Sequence, residues 1–220
     1  MKNKILYLLI FCVLGIHLNA KHFRVMVVTD LNELDSVEFY DKGKVSKITL
    51  AKNYISGKFE IPTNNAINFY EKFPEFNTIA KPKPNFTIKF PKNNKNTIVI
   101  LKSSNNSKTP IDTIIIEEDN KTFPQSSSMI YNIMDKPVLA KLGHMKVKIA
   151  PNERKIVELK NKDEPDAPFN KKVVFAAPRE GDIDFFYSTY WYVPKTQKLF
   201  CVIAEDKING TYELNKILVD

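Results

Sequence analysis

The chain is 220 residues long, 43% hydrophobic and 26% charged, with two cysteines and a formal charge of +8. That length holds one large domain or two small ones and can bury a core without covalent staples. Only Arg24, Arg154 and Arg179 are arginines, so the arginine forks on which specific phosphate and base recognition leans are nearly absent. The lysines are interleaved with Asp and Glu along the whole chain, as on a mildly basic, solvated surface, and no nucleic-acid partner is expected.

The N-terminus comes first in chain order. Lys2 and Lys4 precede a compact apolar run, residues 5–16, and His17, Leu18, Asn19 and Ala20 form a polar exit with a small residue at its end. This layout predicts a signal peptide over residues 1–20, because the apolar run is too short for a spanning helix of roughly 20 residues. Nothing after Ala20 reaches transmembrane length. The expectation is an exported protein, periplasmic or extracellular, with no transmembrane segment in the mature chain. Loss of Lys2 and Lys4 lowers its charge from +8 to +6.

Removal of the leader also removes Cys12 and leaves Cys201 alone. No intramolecular disulfide can form, although export normally permits them. Cys201 lies in the apolar run 199–204, which predicts a buried, inert thiol with no basic neighbour or helix start to lower its pKa.

Strand signals recur from Phe23 to the end. Residues 66–73 place Ala66, Phe69, Tyr70 and Phe73 at helical spacing after Thr63, and fit either a short helix or a strand. The runs 97–101, 114–116 and 199–204 are apolar on both faces and rich in β-branched residues, so they read as central strands. Met145–Ile149 alternates as a strand with one wet face does. Turn chemistry at 41–44, 135–137, 151–154 and 178–181 breaks these runs. Asn209-Gly210 suits a type I′ hairpin between the strand at Leu199 and one starting near Thr211.

Ten to twelve strands with turns every 8–12 residues predict an all-β fold, an antiparallel β-sandwich. We read it as two packed immunoglobulin-like units, residues 21–105 and 106–220. One continuous sandwich is the alternative.

No catalytic residue emerges. The chain has no Gly-rich phosphate loop, no G-x-S-x-G elbow and no H-E-x-x-H. His22 and His144 with a single cysteine do not make a zinc ligand set. Asp163, Glu164 and Asp166 sit beside prolines, as in a solvated loop. Ser126, Ser127 and Ser128 have no positioned base in sequence, and Glu117, Glu118 and Asp119 follow a strand as a solvated turn does. No cofactor and no metal are expected.

The stretch 185–194 carries the main binding potential. Alternation places Phe185, Tyr187, Trp191 and Val193 on one face, with Phe186, Tyr190 and Tyr192 on the other. With Trp191 and Val193 in the core, Tyr190 and Tyr192 become a candidate binding platform for a sugar or a partner protein. Aromatics on both faces also suit a doubly covered strand.

Phe123-Pro124, the run Ser128–Asn132, Pro137-Val138, Leu142-Gly143 and the run Ile149–Glu153, together with 187–191, resemble small exported bacterial β-sandwich proteins of uncharacterised function. The resemblance is strongest over the C-terminal half. It implies a fold class and a cell-envelope location, and brings no catalytic residues. The combined expectation is an exported non-catalytic cell-envelope protein, structural or protein-binding. A carbohydrate-binding module using exposed aromatics is the alternative. Its partner would be another envelope protein or a glycan.

Overall fold

A computed structural model of the chain describes residues 21–31, 34–74, 83–93, 96–104, 111–119, 121–161, 167–206 and 209–219. The predicted leader at 1–20 and the acidic loop with Asp163, Glu164 and Asp166 lie outside the described residues. Among those residues the fold is all-β, with sixteen strands and no helix.

The first eight strands are β1 (His22–Val27), β2 (Ser36–Asp41), β3 (Lys44–Thr49), β4 (Phe59–Glu60), β5 (Ala66–Phe69), β6 (Phe86–Lys89), β7 (Asn96–Ser103) and β8 (Ile111–Glu117). They make one sheet of order β4-β1-β7-β8 and two hairpins, β2-β3 and β5-β6. A bridge from Glu38 to Tyr70 joins the hairpins, with Glu38 N donating to Tyr70 O at 2.7 Å and Tyr70 N to Glu38 O at 2.9 Å. The facing layer therefore runs β3-β2-β5-β6.

The second eight are β9 (Ser127–Asn132), β10 (Val138–Leu142), β11 (Met145–Ile149), β12 (Arg154–Glu158), β13 (Phe169–Arg179), β14 (Asp182–Val193), β15 (Lys198–Asp206) and β16 (Thr211–Val219). Their sheets have the orders β12-β9-β15-β16 and β11-β10-β13-β14. Adding eight to each strand number of the first unit reproduces the second. The chain is thus a tandem repeat of one topology, with no matching sequence repeat to announce it. In each unit the first and seventh strands lie parallel, β1 beside β7 and β9 beside β15, because the strands between them are spent mostly on the opposite sheet.

Residues 66–69 are a strand, paired with β6 through Ile67↔Ile88 and Phe69↔Phe86, so the helical reading fails. Ile67 and Phe69 are buried while Asn68 between them is exposed, which is strand period. β8 pairs with β7 from Thr97↔Glu117 to Ser103↔Ile111, so this ladder crosses the division read at residue 105. The run 114–116 is an edge strand rather than a central one. It is apolar on both sides because its sheet is covered on both: Ile115 packs on the core of the N-terminal unit, Ile116 on the seam to the next.

Three apolar clusters hold these layers. In the first unit Phe23 is the hub, its ring 5.2–6.4 Å from those of Phe39, Phe59, Phe69 and Phe90. Such pairs add about 0.5–1.5 kcal/mol each to area burial. In the second, Val138, Leu142, Val173, Phe175, Trp191 and Ile203 pack between its two sheets. A third cluster fuses the units: Met26, Ile98 and Ile100 from the first meet Met129, Phe200 and Val202 from the second. Four β layers thus stack with three apolar seams.

The turns follow register. Lys42-Gly43 (φ 47° and 85°) and Glu180-Gly181 (φ 50° and 94°) are two-residue connections with both residues left-handed, as type I′ demands. Asn209-Gly210 does join β15 to β16, yet Asp206 pairs with Thr211. Four residues make that connection, so it is not the two-residue turn expected. Asn209 is instead held by Asp206, which accepts from its backbone N at 3.2 Å and its Nδ2 at 2.9 Å.

Candidate binding surface

β14 is twelve residues long and forms an edge of its sheet. Its inward side meets the core: Trp191 is 1% exposed and Val193 is also buried. Tyr187 points the same way, its ring 5.9 Å from that of Phe175, and its hydroxyl accepts from Trp191 Nε1 at 3.1 Å. Lys216 places its Nζ 5.9 Å from both ring centres, a cation–π contact that closes the inner side.

Tyr190 and Tyr192 stand on the opposite face, 68% and 62% exposed. This is the placement read from the sequence. Phe185 is not where alternation put it. Tyr187 pairs with Phe175 and Phe185 with Ala176, which leaves Phe186 as the extra residue of a β-bulge. A bulge shifts the period by one, so Phe185 turns outward at 71% exposure while Phe186 packs against the core. Ile183 joins the exposed row at 54%. Sequence alone gives no signal for the bulge, and Phe185 and Ile183 were missed as members of the outer face for that reason.

A groove of about 280 Å³ runs beside this edge, lined by Trp191, Tyr192, Val193, Leu199, Lys216, Ile217 and Leu218. It separates β14 from β16, the edge strand of the other sheet in the same sandwich.

A second concavity, about 510 Å³, opens at one end of the seam between the units. Asp30, Asp112, Asp135, Glu205, Asp206 and Glu213 line it, against Lys52 and Lys102. Lys52 pairs with Glu213 at 2.6 Å and Asp206 at 3.8 Å. Among the described residues no three His, Cys, Asp or Glu side chains are disposed to hold a metal ion. His22 opens β1 and His144 sits in the β10–β11 turn, in different units.

The remaining polar candidates serve the fold. Ser126 Oγ donates to Lys195 O at 2.5 Å, and Ser127 Oγ to Pro124 O at 2.5 Å. Ser128 Oγ lies 3.8 Å from Cys201 Sγ in the core. Burial pushes the Cys201 thiol up to about 12. Glu118 is not the solvated turn residue expected: it is buried and ion-paired with Arg24 at the end of the seam opposite the acidic cleft. No helix among the described residues is long and apolar enough to cross a membrane.

Compared with known families and with curated proteins, the sequence matches none. One solved structure, a "putative cell adhesion protein" from Bacteroides uniformis, aligns with 92% of this chain and 99% of its own at 11% identity and a TM-score of 0.22. A likeness at that score carries no argument about fold or function.

Proposed function

We propose that the chain is an exported, non-catalytic binding protein of the cell envelope, docking through the outer face of the sheet β11-β10-β13-β14. The observation that supports it most is the exposed row Ile183, Phe185, Tyr190 and Tyr192 on one side of an edge strand. Monomeric proteins keep large exposed apolar patches few, and contiguous ones mark interaction sites. The leader-like residues 1–20 support export. The serines, histidines and cysteine that nucleophilic or metal chemistry would need are used structurally or lie apart.

A photo-crosslinking residue at position 190, in cells expressing the full chain, tests this. An envelope-fraction adduct formed from position 190 and not from position 54, where Tyr54 is also exposed but lies outside β14, is expected. A chain that fractionates with the cytoplasm with residues 1–20 still attached, or equal adducts from both positions, would overturn the reading.

A second reading is favoured by the spacing of two rings. Tyr190 and Tyr192 point the same way two residues apart, about 7 Å along a strand. Two exposed rings at that spacing can meet the apolar face of a sugar.

A further inference from the structure

The strand registers turn the outer face of this sheet into a grid. One row across four strands reads Lys148, Leu139, Ala176, Phe185, and the next reads Lys146, Lys141, Val174, Ser188. Further along, Lys172 stands opposite Tyr190 and Asn170 opposite Tyr192. The rings gather along the β14 edge, and the four lysines occupy the strands behind them. All four lysines are exposed. None of the outward positions on these strands is Asp or Glu, although the chain as a whole carries 25 acidic residues.

We propose that this face binds an anionic polysaccharide, its sugar rings stacked on Tyr190 and Tyr192 and its carboxylates held by Lys172, Lys141 and Lys146. The inference rests on the docking role assigned to this face above. Charge selects the ligand: an acid-free field of lysines attracts polyanions and repels cations. Shape selects a polymer. The face spans roughly 14 Å across three strand spacings and about 30 Å along β14, longer than a single sugar ring. Single exposed lysine contacts are worth about 0.2–1 kcal/mol, and a chain of repeating charges adds them by avidity. Residue type disfavours a phosphate polymer, since no arginine fork lies on the grid. Arg179, at the far end of β13, is paired with Asp184 at 3.2 Å.

Affinity electrophoresis of the mature chain in gels holding polygalacturonate or neutral dextran tests the proposal. A thymidine oligonucleotide and phosphatidylglycerol vesicles serve as competitors. Polygalacturonate is expected to retard the protein at about 0.05 M salt and to lose most of its hold at about 0.5 M. Tyr190→Ala is expected to weaken retardation about tenfold and Lys172→Gln about two- to fivefold, with unchanged unfolding midpoints, as both side chains are solvent-exposed. Retardation insensitive to these substitutions overturns the proposal, as does oligonucleotide or vesicle binding stronger than polygalacturonate binding. Equal retardation by dextran, lost in Tyr190→Ala, overturns the acidic ligand while the docking face stands. No retardation by either glycan overturns the ligand, and the crosslink from position 190 then decides the docking role separately.

Discussion

Trp191 donates its indole N–H to the hydroxyl of Tyr187 at 3.1 Å, four residues back on the inner side of β14. The bond satisfies a buried donor that has few other acceptors in an apolar core, and it locks the phase of the strand beyond the bulge. Tyr190 and Tyr192 face out because Trp191 and Tyr187 are held in. Trp191→Phe removes the bond and part of the ring volume, so about 1–3 kcal/mol of stability should be lost. Urea unfolding followed by circular dichroism measures it. Unchanged stability would show that this contact does not set the strand.

Cys201 is fully buried, and desolvation outweighs the help its thiolate gets from Ser128 and Lys216. The native protein should therefore resist a thiol reagent at pH 8 for hours and react within minutes once unfolded in guanidinium. Fast labelling of the folded chain would contradict the placement of β15 at the centre of its sheet.

Gly181 sits at φ +94° with nothing within 4 Å of a built Cβ, whereas Gly57 has equal space and no left-handed backbone. Gly181→Ala should cost about 1 kcal/mol from backbone strain alone. Gly57→Ala should be neutral or gain up to about 1 kcal/mol by restricting the unfolded chain. Thermal unfolding of both variants separates the two effects, and a larger loss at Gly57 than at Gly181 would reverse this account.

Lys198 lies buried at the seam, its Nζ 5.4 Å from the Phe123 ring centre. Burial lowers its pKa below 10.5, with Arg24 pushing the same way and Glu118 and Asp119 opposing. A lysine whose folded pKa is depressed binds fewer protons folded than unfolded, so stability rises with pH between the folded pKa and 10.5. The stability of the wild type relative to Lys198→Met should therefore climb as pH approaches 10.5. Denaturant titrations at a series of pH values read this difference, and a flat or falling one would refute the assignment.

Asn215 is buried opposite Val202 on the seam between the units, and neither its amide nitrogen nor its oxygen has a hydrogen-bond partner. An unsatisfied amide in an apolar seam costs about 1–3 kcal/mol, so Asn215→Leu should stabilise the protein by a comparable amount in guanidinium titration. A destabilised variant would show that the amide finds a partner in solution.

The amino-acid sequence by itself determined the all-β class, the burial of Cys201 and the inward placement of Trp191 and Val193 on β14. Each follows from local chemistry: two-residue apolar period, β-branched runs, and Trp191 with Val193 two positions apart. Turn chemistry was legible as punctuation and less so as type. Asn209-Gly210 has the right residues, yet pairing of Asp206 with Thr211 sets its length, while Lys42-Gly43 and Glu180-Gly181 take the left-handed pair. Tertiary structure alone decided the rest. Whether β8 is central or at an edge depends on whether a second strand pairs on the side away from β7, and composition is the same in either case. The outward turn of Phe185 depends on one unpaired residue, Phe186. The lysine-and-ring grid arises only when two hairpins, β10-β11 and β13-β14, are brought into register through the β10–β13 ladder, because cross-strand neighbours are fixed by hydrogen-bond ladders and not by distance along the chain.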